Sequence, residues 1–155
     1  MIEDHLTREL LNDEFGKADM DNCIFCKIIK GEVSDFIIKE TDDIIVILSL
    51  EGHPLIIPKR HIENVYGLEP ELASQIMVEA VTMAKAVKET TGCTGLNLIQ
   101  SNGRDAGQEV FHFHLHVRPR WHDDGIEATW NTAELDREKR KALSDTFLEY
   151  FQSST

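Results

Sequence analysis

Apolar and polar residues alternate without a break from Phe111 to Val117: Phe111, Phe113, Leu115 and Val117 are interleaved with His112, His114 and His116. A period of two marks a β-strand whose two faces meet different surroundings. The run therefore predicts a strand with three imidazoles on one face and an apolar row on the other. Shorter strands are expected at Phe36 to Glu40, Ile44 to Leu50, Leu55 to Ile57 and Leu96 to Gln100. They are punctuated by Thr41-Asp42-Asp43, by Glu51-Gly52-His53-Pro54 and by a loop from Ser101 to Gly107 rich in turn residues. The period changes to that of a helix after Pro70, where Leu72, Ile76, Ala80, Met83, Ala84 and Val87 form one stripe that ends at Gly92. Ile24 to Lys30, closed by Gly31, reads as a short helix. Further helices are expected near residues 3–15 and 133–151.

Because neighbouring strands are joined as hairpins more often than through helices, the fold class is α+β: a mainly antiparallel sheet covered on one face by the long helix. One domain is expected over residues 1–155, with a core at 21–122, an N-terminal helical extension at 1–20 and a C-terminal one at 123–155. In the last, Leu143, Phe147, Leu148, Tyr150 and Phe151 need a surface, which could be the chain's own sheet or a second copy.

Composition narrows the partners. A net charge of −12 opposes a protein built for polymeric DNA or RNA, although a single nucleotide in a locally basic cleft remains possible. No apolar run reaches the ~20 residues of a membrane span and no signal peptide is evident. Three cysteines, two of them close together, point to a reducing compartment, and the expectation is a soluble cytoplasmic protein.

Imidazole exchanges protons, attacks phosphorus and binds zinc near neutral pH, so a row of three is a candidate site. Cys23-Ile24-Phe25-Cys26 has the spacing of a chelating or a redox pair. A redox motif should follow a strand, which the preceding residues do not supply. A zinc site needs two more donors, and His61 with one histidine of the triplet are the obvious ones. Buried, unliganded thiols are the third reading.

Taken together, Cys23 to Gly31, Gly52 to His61 and Gly107 to His116 resemble the histidine triad family, with the likeness spanning about residues 21–122. The resemblance implies a nucleotidyl hydrolase or transferase that cleaves a nucleoside phosphoramidate or related conjugate at the α-phosphorus. His114 would be the nucleophile, oriented by the His112 carbonyl and forming a covalent nucleotidyl-histidine. His116 and Gln108 would bind the phosphate, and His53 would relay protons to the leaving group. Ile24, Phe25 and Ile28 would line the base, a role no better supported than ordinary core packing. Zinc-bearing relatives imply a structural Zn2+ on Cys23, Cys26, His61 and His112, and a homodimer is common. Two departures stand out. Ser49 replaces the usual ribose-binding Asp in a shortened turn, with Glu51 nearby, and Ser101 replaces a frequent Asn whose task Asn102 could take. Loss of that Asp keeps a second function open, a zinc-stabilised module that binds a nucleotide or a partner without cleaving it.

Overall fold

The computed structural model describes residues 20–34, 36–127 and 133–153. These fall into two compact units that divide between Asp124 and Gly125. In the first, strands β1 (Ile37–Glu40), β2 (Ile44–Leu48), β3 (Pro54–Pro58), β4 (Gly95–Ile99) and β5 (Leu115–Arg120) form one sheet in the order β1-β2-β3-β5-β4. Every neighbouring pair is antiparallel. Helix α1 spans Ile24–Ile29 and helix α2 spans Pro70–Thr91. The antiparallel α+β architecture expected from the hairpin spacing is the one observed.

Local chemistry explains where the helices stop. Past α1, the Gly31 N–H bonds to the Ile28 carbonyl at 2.9 Å and the Glu32 N–H to Lys27 at 2.8 Å, a crossed pair made possible by a left-handed Gly31 at φ 74°. Helix α2 begins with Pro70 in its first turn and ends at a left-handed Gly92.

The sheet has an apolar core on each face. On one, Leu72, Ile76, Ala80, Met83 and Val87 of α2 pack against Val46, Ile56, Phe113, Leu115 and Val117. On the other, Cys23, Phe25, Cys26 and Ile28 of the α1 segment cover Ile45, Ile47, Leu55 and Ile57. Each Val, Leu, Ile, Phe or Met side chain among them taken out of water contributes about 1.5–3 kcal/mol. One polar member of the α2 face escaped the sequence pattern. Glu79 is buried and its carboxylate takes both of its hydrogen bonds from Lys39 of β1, at 2.8 and 3.1 Å.

The alternation at 111–117 thus sorts residues between the faces as expected, except that Phe111 stays out of the core with Arg104 stacked on it. The strand itself is shorter than expected. It pairs with β3 only through Leu55 with His116 and Ile56 with Leu115. The next register position but one reaches Pro58, which has no N–H to offer. Phe113 donates instead to the Ile62 carbonyl at 2.6 Å. His112, in a bend, and His114 therefore lie in the approach to β5, and only His116 lies in the strand.

The second unit contains helix α3 (Arg137–Ser153), on which Leu143, Phe147, Leu148, Tyr150 and Phe151 are exposed. The helix expected at residues 3–15 lies outside the described residues.

Candidate functional site

Four donors converge where the α1 segment, the chain after β3 and the approach to β5 meet. Nδ1 of His112 lies 3.4 Å from Cys23 Sγ and 3.5 Å from Cys26 Sγ, and Nδ1 of His61 lies 3.2 Å from Cys26 Sγ. All four ligand atoms are within 4.8 Å of one another, and the group could hold a metal ion. Donors bound tetrahedrally at ~2.3 Å for sulfur and ~2.0 Å for nitrogen stand about 3.5 Å apart, so the cluster has the dimensions of a zinc site. His112 is fully buried, and its other nitrogen donates to the Pro58 carbonyl at 2.8 Å. That bond places the proton on Nε2 and leaves the Nδ1 lone pair facing the thiols, as a metal-ligating histidine requires. Burial pushes the Cys26 thiol up to about 12, with Cys23 adding to the effect. Burial also brings His112 down to about 4. The described residues just before Cys23 are helical, so the strand that a redox motif follows is absent there.

The chain turns from this cluster directly into the imidazole row. His114 Nδ1–H donates to the His112 carbonyl at 2.7 Å, so its free nitrogen is Nε2, carrying the lone pair. The His114 ring lies 5.1 Å from that of His116 and 5.1 Å from that of Phe25. His116 Nδ1 is hydrogen-bonded to His53 Nε2 at 2.8 Å, and His53 Nδ1 faces Ser49 Oγ at 3.1 Å. Beside them, Arg118 donates to Glu51 Oε2 at 2.8 Å, and that oxygen is 3.8 Å from His53 Nδ1. His53, His114 and His116 are thus brought together as the sequence suggested. Arg118 falls at the site too, on the same face of β5 as His116, although no role was assigned to it from the sequence.

Other candidate residues are placed differently. Gln108 is buried, with both amide hydrogens on the Glu63 and Val110 carbonyls at 2.7 and 3.1 Å and its oxygen accepting from Gly103 N–H at 2.7 Å. In this arrangement it builds the loop before the triad and has no donor left for a phosphate. Asn102 similarly receives the Val65 N–H at 2.8 Å and donates to Gln100 at 2.6 Å. Phe25 and Ile28 are buried core residues and Ile24 is exposed. Ser49 closes the turn before His53 by taking the His53 N–H at 3.2 Å.

Burial lowers the pKa of His53, with Arg118 adding to it. His116 is brought to about 4 by burial and then by His114 and His53. Between the ordinary histidine value of 6.5 and about 4 the unfolded chain binds protons that the folded site refuses. Stability is then complete above pH 6.5 and falls as the pH drops through that window. Urea midpoints for the parent should decline more steeply over it than those of a His53→Asn/His116→Asn variant. Equal slopes would show that the two histidines are not linked to folding.

This geometry agrees with what the chain is similar to. A HIT domain model matches residues 30–123, and the chain belongs to the HIT family. It is 42% identical to Protein hit of Bacillus subtilis, covering 72% of this chain and 81% of that one. It is 36% identical to an adenosine 5′-monophosphoramidase of Saccharomyces cerevisiae, covering 85% of this chain and 84% of the relative. It is 33% identical to an adenylylsulfatase of Arabidopsis thaliana, covering 79% and 66%. Among solved structures, a HIT family protein from Bacillus anthracis superposes with a TM-score of 0.78 at 38% identity, covering 84% of this chain and 97% of that one. A Zn-bound histidine triad family protein from Mycobacterium smegmatis gives 0.65 at 30% identity, covering 88% and 99%.

Proposed function

We propose that the protein is a nucleotidyl hydrolase or transferase acting on a nucleoside phosphoramidate or related nucleotide conjugate. The observation that carries the reading is the 2.7 Å bond from His114 Nδ1–H to the His112 carbonyl, which aims an unprotonated Nε2 away from the backbone. That nitrogen attacks the α-phosphorus, forming a P–N bond to His114 while the bond to the leaving group breaks. His116 donates from Nε2–H to a phosphate oxygen as charge develops, and the His53–His116 pair passes a proton to the departing amine. Water then attacks the same phosphorus and gives a proton to the His53–His116 pair, replacing the one passed to the amine. The P–N bond to His114 breaks in that step, releasing the nucleoside monophosphate and restoring the free imidazole. Phe25, whose ring lies 5.1 Å from that of His114, would supply the apolar wall for the base together with its exposed neighbour Ile24, while Gln108 and Asn102 hold the surrounding loop.

Cys23, Cys26, His61 and His112 are the residues that would hold a structural zinc ion. With four protein ligands the ion supplies a cross-link and leaves no open position for a reactant. The Zn-bound neighbour and the converging donor set support this assignment. A homodimer is supported by exposed Met77, Val78 and Val81 on α2 together with exposed Leu98 and Ile99 on the edge strand β4. Among the described residues no helix is long and apolar enough to cross a membrane. The free thiols favour the cytoplasm.

The test is quenching in alkali, in which a P–N bond to histidine survives, of the full-length protein during turnover of adenosine 5′-phosphoramidate and, separately, adenylylsulfate. Release of AMP with a transient adenylyl group on His114, located by mass analysis, is the expected result. Binding without AMP release would instead establish the non-hydrolytic module.

A further inference from the structure

We infer that Ser49 is a positioning residue that sets the proton arrangement of the His53–His116 pair, so that His116 presents Nε2–H to the substrate, and that Arg118 protects this arrangement by holding Glu51. The inference rests on the proposed role of His116 as a phosphate donor and names the groups that make it one.

The argument is a count of protons along one chain of contacts. Two imidazole nitrogens 2.8 Å apart, His53 Nε2 and His116 Nδ1, share one hydrogen, so one ring donates and the other accepts. Both rings lie below the ordinary histidine range and are neutral near pH 7, so each carries a single N–H. If His53 donates, its Nδ1 is a bare acceptor, His116 Nδ1 is also bare, and the His116 proton sits on Nε2, where a phosphate oxygen can receive it. If His116 donates, its Nε2 is bare and repels that oxygen. The chemistry therefore depends on what faces His53 Nδ1.

Two groups do. Ser49 Oγ at 3.1 Å already accepts the backbone N–H of His53 at 3.2 Å, so its own hydrogen is available to Nδ1. Donation from Ser49 uses the hydroxyl proton and selects the first arrangement. In the second, two N–H groups of one residue would converge on that oxygen and the hydroxyl proton would be left to solvent. The Glu51 carboxylate can only accept, and so favours the second arrangement. Its nearest oxygen stands 3.8 Å from Nδ1, beyond hydrogen-bond reach, while it accepts from Arg118 at 2.8 Å. The short turn from Ser49 to Gly52, closed by Gly52 N–H on the Ser49 carbonyl at 2.9 Å, brings the serine and the carboxylate to the same histidine. A hydroxyl at position 49 is consequential here because, unlike a carboxylate, it can donate.

The test is nitrogen-15 NMR of the imidazoles in the folded full-length chain near neutral pH, read beside steady-state kinetics. The expected spectrum shows Nδ1 unprotonated and Nε2 protonated in both His53 and His116. Ser49→Ala should move the pair toward the opposite arrangement and lower kcat about tenfold, the worth of one net hydrogen bond, with little change in KM. Ser49→Thr keeps the hydroxyl and should restore both readings. Arg118→Leu should shift the spectrum the same way as Ser49→Ala, and adding Glu51→Gln should reverse it. A proton on His116 Nδ1 in the parent overturns the inference whatever the activity. So does a Ser49→Ala variant with unchanged spectrum and kcat. A parent with the expected spectrum that cleaves no conjugate removes the proposed function and leaves the proton arrangement standing.

Discussion

His114→Ala is expected to abolish turnover, by about 10⁴-fold or more, while leaving metal content and fold intact. The ring is half-buried and its fixed contact is one hydrogen bond to the His112 carbonyl. Removing it leaves a carbonyl that water can reach, a loss of about 1 kcal/mol or less and a shift of only a few degrees in the thermal midpoint. The neighbouring imidazoles are engaged elsewhere. His116 Nδ1 and His53 Nε2 are bonded to each other, and both His112 nitrogens are engaged with the thiols and Pro58. Steady-state rates with adenosine 5′-phosphoramidate decide the matter. A variant within tenfold of the parent would mean that the covalent step does not occur on His114.

Loss of the Cys2His2 ion should act in the opposite order, on stability first and on turnover through it. Cys26 lies within 3.5 Å of both histidine donors, so Cys26→Ala removes a ligand from the middle of the cluster. We expect stoichiometric zinc in the purified parent, none in the variant, and a loss of roughly 4 kcal/mol or more in urea unfolding. Activity should fall with it, because the carbonyl that orients His114 belongs to His112, itself one of the donors. Metal analysis and denaturation on the same preparations provide the check. Equal stability of the parent before and after chelation would show that the cluster does not bear on folding.

The two substitutions together separate what the histidine run does locally. His114→Ala should give a stable, zinc-loaded, inactive protein, and Cys26→Ala an unstable one.

Where side-chain chemistry and period agree, the sequence was enough to place the structure. The stripe from Leu72 to Val87 is α2, the row Phe113, Leu115 and Val117 is buried against it, and Cys23, Cys26, His61 and His112 do converge. What escaped depends on partners that no local pattern encodes. The start of β5 at Leu115 is set by its pairing with β3, a pairing that ends at Ile56 on that other strand. Glu79 reads as a solvated helix residue until Lys39 from β1 is seen beside it. Gln108 looks the same in sequence whether its amide faces a phosphate or three backbone groups. The approach of Ser49 to His53 follows from the tightness of a turn, and its one sequence signal is that the turn is short.

Gln108 also bears on what binding costs. Its side chain and its own N–H both grip Gly103, the latter at 3.0 Å, and Asn102 and Gln108 fasten the same loop to Val65 and Glu63. Fixing a backbone residue costs about 1–2 kcal/mol of conformational entropy, and for the stretch from Gly103 to Gln108 that cost is met when the chain folds. Under the proposed function, a ligand bound beside this loop would meet a segment already ordered and would draw none of its affinity down to arrange it. The expected signature is a small entropy penalty on association and a site that discriminates by fit rather than by closing around its guest.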